Sequence, residues 1–147
     1  MVLNFPKKKD TYLKYISGRG WTVRTNEVAS EFHVDPPAIT KILAGLEDAG
    51  YITHVPYHGV CLTEAGRHHG YFLIKRHRIL SPARVRYGLS VEHACRGVTR
   101  SGSLVSRDAI DTMCRAMGHP RQGVCGEFTH DDGCMGDTWP ENGRNMA

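Results

Sequence analysis

Side chains that can bind a nucleic acid occur in three short stretches of the first half of this chain. Hydroxyl and amide groups can hydrogen-bond to phosphates or base edges, lysine can bind phosphate or guanine, and alanine or proline can contact the methyl group of thymine. The residues with these properties are Thr25, Asn26, Pro36, Pro37, Ala38, Thr40, Lys41, Tyr57 and His58. They can act together only if regular elements present all three stretches to one ligand.

Two short helices joined by a tight turn should present the first two stretches. Thr25–Phe32 is amphipathic and begins with a threonine placed to cap it. His33–Asp35 forms the turn, whose last residue caps the second helix, Pro36–Ala49, and Gly50 ends that helix. The apolar residues of the second helix follow a 0, 3, 4, 7 spacing that buries one face: Ile39, Ile42, Leu43 and Leu46.

A β-hairpin should present the third stretch. Tyr51–Val55 and Val60–Leu62 have strand character and are joined through Pro56–Gly59, and Trp21–Arg24 predicts a short strand beside them. Helix, turn, helix and β-wing in this order predict a winged helix-turn-helix that reads DNA, with Thr40 and Lys41 on its exposed front. For the two prolines at the start of the second helix, simple helix initiation is an equally good interpretation.

The rest of the chain is predicted to be helical up to residue 120. A short helix covers Asp10–Ile16, and a longer one runs from Thr63 to Leu80, where Ser81-Pro82 should kink or stop it. Ser90 caps a further helix. Ser106 caps the last one, whose apolar positions again follow a 0, 3, 4, 7 spacing: Ile110, Met113, Cys114 and Met117. Residues 121–147 lack periodicity and are expected to be irregular or mobile.

Composition favours a polyanionic partner. The net charge is +4 over 147 residues. All of this excess lies in residues 1–80, which contain eleven basic residues (Lys or Arg) and seven acidic ones (Asp or Glu). Residues 81–147 contain eight basic and eight acidic residues, so their net charge is zero. No apolar run is long enough for a membrane span, and the N-terminus lacks a secretory hydrophobic core. A cytoplasmic protein is therefore expected, and its five cysteines, an odd number, should be reduced thiols.

Catalysis is not indicated by the residue pattern. Nucleophilic catalysis needs a cysteine or serine beside a base, and the sequence alone does not bring Cys95 and His77 together. A phosphate-binding glycine loop is also missing, so the chain is not expected to be an enzyme. A winged helix used for protein–protein contact is the other alternative. It would be favoured by acidic residues at the front of the second helix, but Glu47 and Asp48 lie at its far end.

Residues from about 10 to 120 resemble the diphtheria-toxin-repressor family of iron- or manganese-dependent transcriptional repressors. The segments that carry the resemblance are Asp35-Pro36 through Leu43, Tyr57-His58-Gly59-Val60 with Leu62-Thr63, Arg76-His77-Arg78, Gly88 to Glu92, and Ala109-Ile110-Asp111. The length resembles the two-domain, manganese-sensing branch, without an SH3-like third domain.

The resemblance implies a mainly α protein with a small β-wing. Its parts would be a winged helix-turn-helix DNA-binding domain over residues 1–66, a helical dimerisation and metal-site domain over 67–120, and an irregular tail over 121–147. A homodimer would place two recognition helices roughly 34 Å apart on double-stranded, near-palindromic operator DNA. Dimerisation is also reasonable physically, because the apolar stripe of the last helix cannot be buried wholly within so short a chain.

The family also implies a divalent transition metal (Fe²⁺, Mn²⁺ or Zn²⁺), yet most of its ligand positions are changed here. Aligned without gaps, the first-helix positions hold Thr11 and Lys14, and His77 is retained. The glutamate one turn after that histidine is replaced by Ser81, and an ancillary histidine position holds Cys95. In the later helix the ligand positions hold Thr99 and Gly102-Ser103. Almost all of the carboxylates that hard metal ions require are absent.

Three interpretations stay open. In the first, the inherited site no longer binds metal, and the regulator is metal-independent or responds to another signal, such as a thiol-reactive compound. Alternatively, a softer site is rebuilt from His77 and Cys95, with His93, His68 or His69 as further ligands. Finally, a metal could bind in the tail, where the candidate ligands are His119, Cys125, His130 and Cys134. For any single histidine, a surface or packing role is the simplest explanation.

Overall fold

A computed structural model of the chain describes residues 7–20 and 22–127. The chain divides into two compact units, with the boundary between Gly70 and Tyr71. The elements in chain order are α1 (Lys7–Arg19), β1 (Thr22–Val23), α2 (Thr25–Phe32), α3 (Pro36–Asp48), β2 (Ile52–Val55), β3 (Gly59–Leu62), α4 (Glu64–Arg86), α5 (Val91–Ser101), a 3-10 turn (Gly102–Leu104), α6 (Arg107–Ala116), β4 (Gln122–Gly123) and β5 (Gly126–Glu127).

The first unit has a core built from three helices and a small sheet. Each of these elements contributes fully buried apolar side chains, and they include Leu13, Ile16, Val28, Ile39, Leu43, Leu46, Ile52 and Val60. The Phe32 ring at the end of α2 lies 4.3 Å from the Tyr12 ring and 5.3 Å from the Tyr15 ring, centroid to centroid, which holds α2 against α1. The helix spacing predicted for α3 is confirmed, with Ile42 only half-buried.

The helix-turn-helix forms as predicted, with one difference at its first cap. Thr25 is the first helical residue of α2, and the N-cap is Arg24, whose side chain makes no capping hydrogen bond. Threonine therefore does not cap this helix. Asp35 is the N-cap of α3, also without a capping hydrogen bond from its side chain. The turn between the helices depends on His33, which adopts the left-handed conformation with φ 50°.

The wing is a three-stranded antiparallel sheet in the order β1-β3-β2. Thr22 pairs with Cys61 and Val23 with Val60, and Ile52 pairs with Leu62 on the other side, so the predicted strand beside the hairpin is confirmed. A carboxylate joins this sheet to α3: Glu47 accepts a hydrogen bond from the backbone N–H of His54 at 3.0 Å, and its other oxygen lies 2.8 Å from the His54 ring. These contacts lower the pKa of Glu47.

The Glu47 contact should make wing stability depend on acid pH. A carboxyl group whose pKa is lower in the folded state stabilises that state above its unfolded pKa and loses this effect as pH falls through the folded pKa. We expect Glu47→Gln to be less stable than the wild type at pH 7, and the difference to shrink as pH falls below the ordinary carboxyl pKa of 4.5 and to vanish below the lower pKa of the folded state. Urea unfolding at both pH values measures this, and Asp48→Asn is the matched control. An equal difference at both pH values would contradict the prediction.

The predicted stop at Ser81-Pro82 is wrong, because α4 continues through Pro82 to Arg86. Proline removes the hydrogen bond to the carbonyl four residues earlier, which costs about 3 kcal/mol in a helix interior. Two hydrogen bonds flank the proline, one within α4 and one to α5. Ser81 is completely buried and donates from its hydroxyl to the His77 carbonyl at 2.7 Å. One turn past the proline, Arg84 donates to the Ser101 hydroxyl of α5 at 2.6 Å.

The second unit packs α4, α5 and α6 around a small apolar core that includes Phe72, Ile79, Ile110 and Cys114. Ser90 and Ser106 cap α5 and α6 as predicted, accepting from the backbone N–H groups of His93 and Ala109 respectively. Cys114 and Ile110 are buried, whereas Met117 at the end of the predicted stripe is exposed.

Part of the segment expected to be irregular has regular structure. Gln122 pairs with Glu127 and Gly123 with Gly126 in a two-stranded antiparallel hairpin, β4–β5. The apolar periodicity on which the prediction relied cannot detect a hairpin this short. The remainder of the predicted tail, residues 128–147, lies outside the described residues. Within the part of the chain that the structure describes, no helix is both long and apolar enough to span a bilayer.

Candidate functional site

The front of α3 is open to solvent. Pro36, Pro37, Ala38, Thr40 and Lys41 are all exposed, while the opposite face of the helix is buried in the core. The Thr40 hydroxyl donates to the Pro36 carbonyl at 2.9 Å, so its proton is used within the helix and its oxygen remains an acceptor. The front of α3 therefore offers apolar surface from the first turn and one cation.

The remaining DNA-binding candidates lie beside that helix. A groove of about 660 Å³ separates the start of α3 from the wing, and its lining includes Arg24, Thr25, Asn26, Pro36 and Tyr57. Asn26 is exposed, whereas Thr25 is half-buried. The Asn26 carbonyl oxygen accepts from the Glu27 backbone N–H at 3.1 Å. The structure thus brings the first two predicted stretches and the wing to one groove.

The wing tip projects fully into solvent. Tyr57 has 102% of its reference surface exposed, adopts φ 64°, and is followed by the exposed His58. An aromatic ring held in this position without packing partners contributes little to stability, which suits contact with a ligand. Arg24 is a groove residue that the sequence analysis did not select. Its position directly before the first helix of the motif was the available signal, because cations beside a helix start can reach the same phosphate as the helix amides.

A second constellation lies in the second unit. His77 on α4, Cys95 on α5 and Cys125 in the β4–β5 turn each offer one ligand atom, and these atoms lie within 4.8 Å of one another. All three residues are half-buried. Sequence reasoning selected His77 and Cys95 as one pair and placed Cys125 in a separate tail site. The structure joins them instead.

Packing around α4 explains why Cys125 reaches this position. The hairpin lies on Arg78: a Cβ atom added at Gly123 would be 3.2 Å from the Arg78 carbonyl oxygen, and one at Gly126 would be 2.9 Å from its guanidinium nitrogens. Glycine at both positions permits this close approach, and Gly126 also adopts φ 134°. Because Pro82 has no backbone N–H, the Arg78 carbonyl lacks its usual hydrogen bond within the helix. The hairpin thus covers the defect in α4 next to His77.

Ser81 supports the other two ligands. Its hydroxyl donates to the His77 carbonyl, and the Cys95 thiol donates to the Ser81 oxygen across 3.9 Å. Thr99, one turn further along α5, donates to the Cys95 carbonyl at 3.0 Å. Ser81 stands where the resemblance implies a glutamate and Thr99 where it implies a ligand, and both hydroxyl groups are hydrogen-bonded within the protein. The structure describes no carboxylate in this cluster.

Among the described residues, the other proposed ligands are not members of this cluster. His93 contacts the Ser90 hydroxyl at 2.8 Å through Nδ1. In the first unit, His68 pairs with Glu64 at 3.8 Å and His69 with Asp10 at 3.6 Å. His119 lies 3.7 Å from the Cys114 sulfur. His130 and Cys134 are outside the described residues, so the full predicted tail site is not represented.

The inherited ligand positions do not suit Mn²⁺. Thr11 and Lys14 supply no carboxylate, and Gly102 is buried in the 3-10 turn. A Cβ atom at Gly102 would lie 3.3 Å from the Val98 side chain and 3.7 Å from Arg76 Nε, so this position faces an apolar residue and a cation. Hard divalent ions prefer oxygen ligands, which these residues do not provide.

Comparisons with known proteins agree with the fold and the motif. Residues 5–60 match the family model described as iron dependent repressor, N-terminal DNA binding domain. The HTH-type transcriptional regulator MntR of Geobacillus kaustophilus is 32% identical over 90 residues, which cover 61% of this chain and 64% of that protein. The corresponding regulator of Shouchella clausii is 30% identical over 90 residues, covering 61% of this chain and 63% of its own length.

Solved structures share the same fold. The metal-dependent transcriptional regulator MtsR is similar with a TM-score of 0.72 and 22% identity, over 85% of this chain and 60% of that one. A hypothetical protein from Sulfolobus solfataricus, SSo2273, is similar with a TM-score of 0.68 and 23% identity, over 86% of this chain and all of that one.

The curated relatives are transcriptional regulators, which agrees with the expectation that this chain is not an enzyme. The chain spans somewhat less than two thirds of the length of either one. The family match over the winged helix, the curated relatives and the shared fold agree with the segments that first suggested the resemblance. Residues 5–60 therefore match the DNA-binding domain of iron-dependent repressors, and the chain is similar to regulators of the family that the sequence resembles.

Proposed function

We propose that this chain is a sequence-specific DNA-binding transcriptional regulator that represses by occupying operator DNA as a homodimer. The observation that carries the proposal is the arrangement of the first unit. The first residue of α3, Pro36, and Tyr57 of the wing tip line one groove, the rest of the α3 front is exposed, and all of the excess positive charge lies in residues 1–80. A helix with this exposure fits the major groove, while a projecting wing fits the adjacent backbone or minor groove.

The contacts divide by chemistry. Lys41 would bind a guanine edge or a phosphate, and Thr40 would accept a hydrogen bond through its free lone pairs. Pro36, Pro37 and Ala38 would contact thymine methyl groups. The start of α2 would hold a phosphate with its backbone N–H groups, assisted by Asn26, because helix N-termini attract anions.

Dimerisation is supported by apolar side chains that the second unit leaves in solvent. The exposed large hydrophobic residues of that unit include Tyr87, Leu89, Val91, Leu104 and Met117. Exposed apolar surface of this kind commonly marks a protein interface. A two-fold dimer would present two copies of α3 to a near-palindromic operator.

Replacing Lys41 tests the DNA contact. We expect Lys41→Ala to weaken specific operator binding about tenfold and to reduce the salt slope of the binding constant by about 1. Arg96→Ala, which removes the same charge from an exposed position on α5, is the matched control and should change neither. Fluorescence anisotropy with a promoter fragment at several salt concentrations measures both. Unchanged affinity and slope in Lys41→Ala would favour the protein-interaction alternative.

We further propose that a divalent transition metal regulates this binding; the similar protein MtsR is described as a metal-dependent transcriptional regulator. Promoter binding measured with a chelator and then with each candidate metal should show at least a tenfold increase for one ion, which corresponds to about 1.4 kcal/mol of coupling. Tight binding that no metal changes would mean a metal-independent or thiol-responsive regulator.

A further inference from the structure

We infer that His77, Cys95 and Cys125 form a thiolate-rich site for a thiophilic transition-metal ion of the Zn²⁺ type. This inference deepens the proposed metal response by naming its ligands and the class of metal. It rests on that proposal only for its regulatory meaning, because the site can be tested by metal binding without DNA.

The ligand geometry is close to what a tetrahedral ion requires. Zinc binds cysteine sulfur and histidine nitrogen at roughly 2.0–2.3 Å, so neighbouring ligand atoms in a tetrahedral site lie roughly 3.3–3.8 Å apart. The three candidate atoms are already within 4.8 Å of one another. Side-chain movements of about 1 Å would therefore complete three corners of the tetrahedron.

The chemistry of the ligand set selects the metal. Two thiolates and one neutral imidazole neutralise a divalent ion, and soft sulfur ligands favour Zn²⁺ and similar ions over Mn²⁺. The hydroxyl of Ser81, where the family has a carboxylate, is hydrogen-bonded to the His77 carbonyl. Its burial beside the Cys95 sulfur is typical of a residue that orients ligands rather than one that binds metal.

The third ligand comes from a short hairpin that packs against α4. A two-stranded hairpin with two residues in each strand has little stability of its own. It lies on Arg78 through Gly123 and Gly126, and this contact places Cys125 next to His77. Metal binding would therefore connect α4, α5 and the hairpin, three elements that are far apart along the chain.

Cobalt substitution tests the site in the full-length, reduced protein without DNA. Co²⁺ bound by thiolates gives an intense charge-transfer band in the near ultraviolet, and Zn²⁺ should displace it. Each of His77→Ala, Cys95→Ser and Cys125→Ser should weaken Co²⁺ binding by about 100-fold or more, since each removes one ligand. Cys61→Ser in the wing is the matched control and should bind as the wild type does. Circular dichroism before metal addition verifies that the variants are folded.

Three outcomes would overturn the inference. In the first, the wild type shows no thiolate band. In the second, the band is lost in Cys125→Ser but kept in His77→Ala and Cys95→Ser, which would place the metal among the C-terminal candidates His119, His130 and Cys134. In the third, Mn²⁺ displaces Co²⁺ as effectively as Zn²⁺ does. If metal binds but does not change promoter affinity, the inferred metal site is still supported and only its regulatory role is contradicted.

Gly126 provides a test of the geometry that changes no ligand. Alanine at this position is strained at φ 134° and would meet the Arg78 guanidinium, so it should displace the hairpin. We expect Gly126→Ala to weaken Co²⁺ binding by about 10-fold or more, as positioning changes around metal sites typically do. Gly118→Ala, at φ 74° with nothing within 4 Å of the new Cβ atom, controls for backbone strain alone. Equal affinities in the two variants would contradict the role assigned to the hairpin.

Discussion

Asp111→Ala should destabilise the second unit by about 3–5 kcal/mol, the largest effect expected for any single substitution in this unit. The Asp111 carboxylate lies 2.5 Å from the Lys75 ammonium, and the two side chains are 10% and 0% exposed. This ion pair joins α6 to α4 inside the helical core. Removing the carboxylate would take away an opposite charge in direct contact with a fully buried ammonium, and desolvation of such a cation is costly.

Two comparisons identify the source of that effect. Asp108→Ala removes an exposed carboxylate from the first turn of the same helix and should cost far less. The double variant Lys75→Met/Asp111→Leu replaces the pair by apolar side chains and should recover much of the lost stability, because apolar replacement of a buried ion pair is often neutral. Urea unfolding followed by circular dichroism measures all three. If Asp111→Ala costs no more than Asp108→Ala, the pair does not stabilise the unit.

Gly59→Ala should destabilise the winged helix by about 3 kcal/mol, combining backbone strain with overpacking. Gly59 opens β3 at φ 100°, which side chains rarely adopt, and a Cβ atom there would lie 2.3 Å from the Val23 carbonyl oxygen. The β1–β3 pairing would have to separate to relieve that contact. Promoter affinity should fall together with stability, because the same strand carries the wing tip.

Other glycines of the first unit separate the two contributions. Gly50 has φ 81° with nothing within 4 Å of an added Cβ atom, so Gly50→Ala reports strain alone. Gly66 has no positive φ, but its added Cβ atom would lie 1.8 Å from the Tyr51 carbonyl oxygen. The stability lost in Gly66→Ala therefore measures the cost of steric overlap without backbone strain. Thermal unfolding of the three variants gives the comparison. If Gly59→Ala is as stable as Gly50→Ala, the sheet adjusts to the new Cβ atom without loss of stability, and the steric part of the prediction is wrong.

The winged helix could be predicted in detail because its signals are local. The spacing of Ile39, Leu43 and Leu46 determines which face of α3 is buried, and that choice leaves Thr40 and Lys41 in solvent. Cap positions were less predictable. Thr25 has the right chemistry for an N-cap, but the chain enters the helix one residue earlier, at Arg24, which directly follows the short strand β1.

The continuation of α4 shows how tertiary contacts override local propensity. Proline at position 82 is unfavourable in any isolated helix, yet the turns on both sides are held by Ser81 and Arg84. Arg84 bonds to a residue of α5, whose position depends on packing, whereas Ser81 is fully buried and bonds within α4. A rule based on the proline alone therefore placed the helix end too early.

Residue types along the chain were sufficient to predict the helix-turn-helix and the wing, because periodicity and turn residues act over a few positions, and they also carried the resemblance to the repressor family. They also showed that the inherited ligand set had lost its carboxylates. Only the tertiary structure joined Cys125 to His77 and Cys95, since the contact requires a hairpin to fold back onto α4 through two glycines. Close approach between segments far apart in sequence leaves no local pattern, and so the metal-binding candidates emerged as one cluster only in three dimensions.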